Sequence, residues 1–288
     1  MEKPLKSEPV FWSGLILIAC QILTHYVAFR EKDFVESNQI TPPQISLELP
    51  LIYFFGVVVL LGLILFLLPI SKLRIVLKVV FSFLFCWGIF IVFGLSLPLL
   101  AASIIAIAGS LIWFFRPRVW LHNLLMILTL VSAGSVFGLL LSPWAAIVFM
   151  LVISVYDVLA VRFGYMLWLV KRLSESEILP AFVIPRAIPG WNLNLKKEGF
   201  KNLLEDKVAE REFSILGGGD LGFPLLLTAS VFFTYGLASS LIVAAFSLLG
   251  LIAAYWIQRV FLKGKPMPAL PPIFLMSLIG FLIAYFVY

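Results

Sequence analysis

Two of the fifteen acidic residues stand apart. Glu2, Glu8, Glu31, Asp33, Glu36, Glu48 and the seven from Glu175 to Glu212 fall in tails, polar loops or at the edges of apolar runs, whereas Asp157 and Asp220 interrupt apolar sequence. A carboxylate near the centre of a membrane helix costs about 2.5–3.5 kcal/mol even on insertion scales, so it usually faces a partner or water. Two in one chain suggest a pair. If their carboxyls meet, like-charge repulsion stops both ionising at once, so one keeps a proton while the other is a base. Such a pair can hydrolyse an amide: the ionised member deprotonates an attacking water and the protonated member donates to the carbonyl oxygen. That chemistry needs no covalent intermediate, no cofactor and no metal. Consistently, the apolar runs hold no HExxH, no GxSxG and no metal-spaced Cys or His cluster.

The neighbours of the two acids carry further chemistry. Asp220 follows Gly217, Gly218 and Gly219, a run that favours neither helix nor strand and leaves the backbone approachable by a substrate strand. Further on stands Met267-Pro268-Ala269-Leu270-Pro271-Pro272, whose three prolines lack amide donors and hold the chain out of regular helix. Tyr156, beside Asp157, has a hydroxyl for a hydrogen bond near the acids or a ring for packing.

Positioning these groups falls to a membrane fold. Of 288 residues, 62% are hydrophobic and 12% charged, and mean hydropathy is +1.10, against about 25% charged in ordinary soluble domains. This composition excludes a soluble enzyme, and the net charge of +6 reports orientation in the bilayer before it reports any nucleic acid. Apolar runs predict nine transmembrane helices, at 10–29, 47–68, 75–94, 97–115, 119–141, 144–170, 213–236, 238–261 and 267–288. Pro98 and Pro143 mark helix starts after short connections. The first run is span-length with no small-residue cleavage site, so it is read as a retained anchor. Cys20 and Cys86 lie within apolar runs and suggest neither disulfide nor metal.

Nineteen of the 21 basic residues fall on one side of this alternation, with only Arg30 and Lys32 on the other. The positive-inside rule then predicts a cytosolic N-terminus and an outer C-terminus. Asp157 precedes Arg162 by five residues, about 7.5 Å of helix. Asp220 lies seven residues past Phe213, roughly 10 Å if helical and more if extended. Both acids therefore sit a turn or two below the cytosolic surface. The chain is read as one membrane domain over 1–288, with six spans in 1–170, a cytosolic loop at 171–214 and three spans in 213–288. Within the loop, 178–193 is apolar and broken by prolines, and 196–212 has the spacing of a short amphipathic surface helix.

Taken together, Tyr156-Asp157 in a sixth span, Gly217-x-Gly219-Asp220 at the start of a seventh and Pro268-Ala269-Leu270 at the start of a ninth resemble the YD, GxGD and PAL motifs of the presenilin and signal peptide peptidase family of intramembrane aspartyl proteases. The resemblance covers the whole length, and the orientation is presenilin-like. It implies an all-α, polytopic, presenilin-type fold and a multi-pass protein of the cell membrane. Asp157 and Asp220 would form the catalytic pair, with Pro268, Ala269 and Leu270 shaping the site. The substrate would be a transmembrane protein or peptide, unwound in the bilayer and added to an edge strand, for which Phe213 to Leu216 is the candidate. Nucleic acid is not implied, accessory subunits are not evident, and a homo-oligomer is compatible with the sequence. Two departures stand out: Gly218, where presenilins usually carry a larger residue, bears on substrate preference, and the loop 171–214, short beside that of animal presenilins, bears on self-cleavage. Lack of an N-x-[ST] sequon and minimal loops fit a prokaryotic homologue. The competing class is a proton- or cation-coupled transporter or channel built on the two aspartates; the lack of visible repeats stands against it.

Overall fold

The computed structural model describes residues 9–43, 45–176, 178–195, 213–262 and 267–287. In chain order they form α1 (Pro9–Ser37), α2 (Glu48–Leu67), α3 (Ile70–Gly94), α4 (Leu99–Phe115), α5 (Val119–Leu140), α6 (Pro143–Arg162), α7 (Tyr165–Glu175), β1 (Ala181–Pro185), a 3-10 turn (Ile188–Asn192), β2 (Phe213–Gly217), α8 (Gly218–Tyr235), α9 (Leu237–Val260) and α10 (Leu270–Val287). Seven helices are long and apolar enough to cross a membrane, namely α1, α2, α3, α5, α6, α9 and α10, and α4 is a shorter apolar helix. The eighth helix falls outside the seven because it opens on Gly218, Gly219 and Asp220 and carries Pro224. The predicted surface helix at 196–212 lies outside the described residues.

Five expected spans have different limits: α1 runs on to Ser37, eight residues past its expected end, and α3 begins at Ile70 instead of 75. The run 144–170 is two helices, because Gly164 adopts a left-handed φ of 74° and ends the first at Arg162. The second of these, α7, is amphipathic, and its Arg172 donates from Nε to the Leu65 carbonyl and from Nη2 to that of Leu68, at 3.0 and 2.9 Å. The cation thereby satisfies carbonyls that the last turn of α2 leaves open. The run 213–236 begins as a strand, so the extended alternative for the approach to Asp220 applies. The last helix starts at Leu270, after the prolines have held the chain open. Pro98 and Pro143 do mark helix starts, and the Ser142 hydroxyl caps α6 by accepting from the Ala145 amide.

Close helix packing sets the frame of the site. On α5, a Cβ at Gly138 would lie 2.5 Å from the Ala229 Cβ, and one at Gly134 would lie 2.9 Å from that of Leu225. This small-xxx-small pair lets α5 and α8 approach backbone to backbone, the main source of helix association where lipid removes the hydrophobic drive. The first and ninth helices are joined by a polar seam: Ser13 to Tyr255 at 2.6 Å, Gln21 Nε2 donating to Ser247 Oγ at 3.0 Å, and His25 Nε2 to Ser240 Oγ at 2.9 Å. Glu31, which sequence places at a span edge, is buried in α1 and accepts from the Ser135 hydroxyl of α5. By contrast α2 is peripheral, with Leu65 its one buried residue.

Strands β1 and β2 pair antiparallel, Ala181 opposite Gly217 and Val183 opposite Ile215. The stretch read from sequence as irregular is thus partly a strand, tolerating Pro185 because it stands at the strand's end. Every residue of β1 is buried. Its side chains alternate with period two: Ala181 and Val183 join a cluster with Leu65, Leu73 and Leu173, and Phe182 and Ile184 join one with Leu125 and Leu225.

Candidate active site

Each of the two acids is placed by a helix end. Asp157 lies on α6, five residues before its last, and Asp220 lies in the first turn of α8. Both side chains are half-buried, and they lie close enough to interact electrostatically.

Two of the three motifs supply a backbone donor to these carboxyls. The Leu270 amide points at Asp157 Oδ2, with a nitrogen-oxygen distance of 3.4 Å. Leu270 opens α10 and the next two residues are prolines, so two of the helix's four unpaired N–H groups are missing and Leu270 carries one that remains. Asp220 takes a hydrogen bond from the Gly217 backbone, and a Cβ at Gly217 would lie 2.9 Å from Asp220 Oδ2. A side chain here would displace the carboxyl.

The remaining motif residues serve the surroundings. Gly218 donates its amide to the Pro180 carbonyl at 3.1 Å, tying α8 to the residue before β1; a Cβ there would meet Met126 Cε at 3.0 Å. Gly219 is exposed, and a Cβ on it would approach the Phe223 ring at 3.2 Å. Pro268 is half-buried, and Ala269 packs against the core that holds Leu125 and Leu225. Tyr156 stands edge-on to Phe54 and Phe55 of α2, with ring centroids 5.9 and 6.0 Å apart, and interacts electrostatically with Asp157. Among the described residues no group of three or more His, Cys, Asp or Glu side chains could hold a metal.

Three further residues stand around the site that sequence reading did not assign to it. Tyr255 of α9 hydrogen-bonds to Ser13 and to Ser214 of β2 and lies within electrostatic reach of Asp220. His122 and Asn123, on α5, grip β1: His122 Nε2 meets the Ala181 carbonyl at 3.1 Å, and the Asn123 amide both donates to the Val183 carbonyl at 2.7 Å and accepts from the Val183 amide at 3.0 Å. Tyrosine, histidine and asparagine near helix ends are commonplace in membrane proteins, so no sequence signal distinguishes them.

Fold and site define a helical multi-pass membrane protein with a close aspartate pair. A profile described as "Signal-peptide peptidase, presenilin aspartyl protease" matches residues 14–288. The chain belongs to that family, and it is accordingly a hydrolase, an intramembrane aspartyl protease. Among solved structures it is similar to a "presenilin family intramembrane aspartate protease" in space group C222, with 19% identity, a TM-score of 0.66 and coverage of 98% of this chain and 100% of that one. The P2 form gives 20% identity, a TM-score of 0.64 and 96% coverage of each. No curated protein matches the chain.

Proposed function

We propose that the chain is an endopeptidase that cuts transmembrane segments by a two-aspartate, water-activating mechanism, with Asp157 and Asp220 as the catalytic pair. The observation that carries this reading is their proximity, each carboxyl meeting a backbone N–H, of Leu270 and Gly217 respectively. One carboxylate takes a proton from water as the oxygen attacks the peptide carbonyl carbon, while the other carboxyl gives its proton to the carbonyl oxygen. The gem-diol then collapses as its C–N bond breaks: the carboxyl that took the water proton gives it to the leaving nitrogen, the other carboxylate takes a hydroxyl proton from the gem-diol, and the pair again holds a single proton. Gly217, Gly218 and Gly219 keep the backbone beside Asp220 narrow, and Pro268, Ala269 and Leu270 shape the site by starting α10 where the Leu270 amide meets Asp157. Tyr156 lines the approach with Phe54 and Phe55.

In this reading nine helices cross the membrane, α4 and α8 included, with the N-terminus cytosolic and the C-terminus outside. Spans one to six fall in 1–170, the cytosolic connection is 171–214, and 213–288 hold the last three. A transmembrane substrate unwinds near the site and adds an extended segment to β2.

The test is to incubate purified protein in lipid with a labelled transmembrane peptide, with and without an aspartyl transition-state analogue. Cleavage that the analogue blocks, and that Asp157→Asn or Asp220→Asn abolishes, is expected. Cleavage that survives either substitution overturns the assignment of the pair.

A further inference from the structure

The grip of α5 on β1 does more than hold a strand in place. We propose that Asn123 and His122 are positioning residues, which close one edge of the two-stranded sheet and so dictate on which side, and in which register, a peptide can add beside Asp220. This inference rests on the proposed addition of substrate to an edge strand.

Backbone direction decides which edge stays open. In an antiparallel pair, opposed residues alternate between those that exchange both hydrogen bonds and those whose N–H and C=O both point away from the partner strand. Asn123 takes both groups of Val183 and His122 takes the Ala181 carbonyl, so these two residues of β1 face away from β2. Their partners across the ladder, Ile215 and Gly217, must then face away from β1. The bond from the Gly217 backbone to the Asp220 carboxyl agrees, because Gly217 turns its polar groups to that same outer side. The outer edge of β2 therefore offers the N–H and C=O of Ile215, and two residues on, about 6.6–6.8 Å along the strand, it meets Asp220.

The side chain of Asn123 imitates a neighbouring strand. Its amide presents an acceptor oxygen and an N–H donor side by side, so it pairs with the N–H and C=O of a single residue as an opposed strand residue does, and it saturates the position on β1 that a competing strand would use. Asn123, His122 and Val183 are all buried, so water does not substitute for these bonds. With β1 closed, the only open strand edge among the described residues is the one that leads to Asp220. Loss of the clamp leaves the Val183 groups unpaired and frees β1 to shift along β2, and a one-residue slip of a strand reverses every side chain.

The experiment compares the full chain with Asn123→Ala and the near-isosteric Asn123→Asp on the labelled transmembrane peptide, reading product masses, kcat, KM and affinity for an aspartyl transition-state analogue. Asn123→Ala is expected to spread cleavage over neighbouring bonds and to lower kcat about tenfold to a hundredfold, the order expected for a misplacement near 1 Å, with analogue affinity within about twofold. Asn123→Asp, which keeps the acceptor for the Val183 amide but not the donor, should fall between. Unchanged products and kcat in both variants overturn the inference. So does failure of both to fold, which makes the clamp an element of stability alone. A wild-type chain that cleaves nothing instead overturns the proposed function, so the two failures are distinct.

Discussion

The backbone nitrogen of Leu270 lies 3.4 Å from Asp157 Oδ2, across 113 residues of sequence. The contact joins the start of the last helix to an acid on the sixth. Because it comes from the main chain, the identity of the side chain at 270 matters less than the presence of an N–H. Leu270→Pro removes the donor and is expected to abolish peptide cleavage, whereas Leu270→Met keeps it and should retain activity within a few-fold. Equal losses in the two variants, compared by initial rates on one peptide, would show that the buried side chain matters and the amide does not.

A side chain at Gly217 should move the Asp220 carboxyl without unfolding the protein. Gly217→Ala places a Cβ 2.9 Å from Asp220 Oδ2 and pushes the carboxyl off its backbone donor. The expected result is a fall in kcat of about a hundredfold, with the melting temperature little changed. A calorimetric melt beside the kinetic assay separates this from unfolding.

Tyr255 couples three elements through one hydroxyl. Tyr255→Phe leaves the Ser13 and Ser214 hydroxyls without that partner and should cost about 1 kcal/mol of stability. A double-mutant cycle with Ser13→Ala checks the assignment: additive losses would mean that the 2.6 Å contact contributes nothing.

The tight contact of α5 with α8 predicts a larger penalty. Gly138→Val inserts methyl groups where a Cβ would already lie 2.5 Å from the Ala229 Cβ, and overpacking of this kind typically costs about 1–3 kcal/mol. Since α8 carries Asp220, cleavage should fall with stability. A variant that melts as wild type yet loses activity would point instead to a shift of α8 without loss of packing.

Much of this architecture is legible in composition. Runs of apolar residues locate most of the helices, though α1 runs eight residues past its expected end, and the cost of a buried charge singles out Asp157 and Asp220 from the sequence alone. What escapes is non-local or masked by apolarity. The break at Gly164 is marked in sequence only by Arg162 two residues before it, and the apolar and aromatic residues that follow read as one continuing helix, although a left-handed φ divides α6 from α7. Strand β1 is opaque because its partner lies some thirty residues on and Pro185 argues against a strand. Glu31 looks like an interfacial acid, since its partner Ser135 is 104 positions away. The pairing of Leu270 with Asp157 is visible only as a motif, since no pattern in sequence says which carboxyl a main-chain amide will meet.

The seam of Ser13, Gln21 and His25 with Tyr255, Ser247 and Ser240 bears on the continuity of the chain itself. Together with the α5–α8 contact and the strand pair, it bridges the interval between Leu195 and Phe213, holding the N-terminal helices and β1 against β2 and the C-terminal helices without a covalent bond. A nick in that interval would release no fragment. The two pieces would stay docked through three independent sets of contacts, one carrying Asp157 and the other Asp220, and co-expressed halves should assemble into one particle.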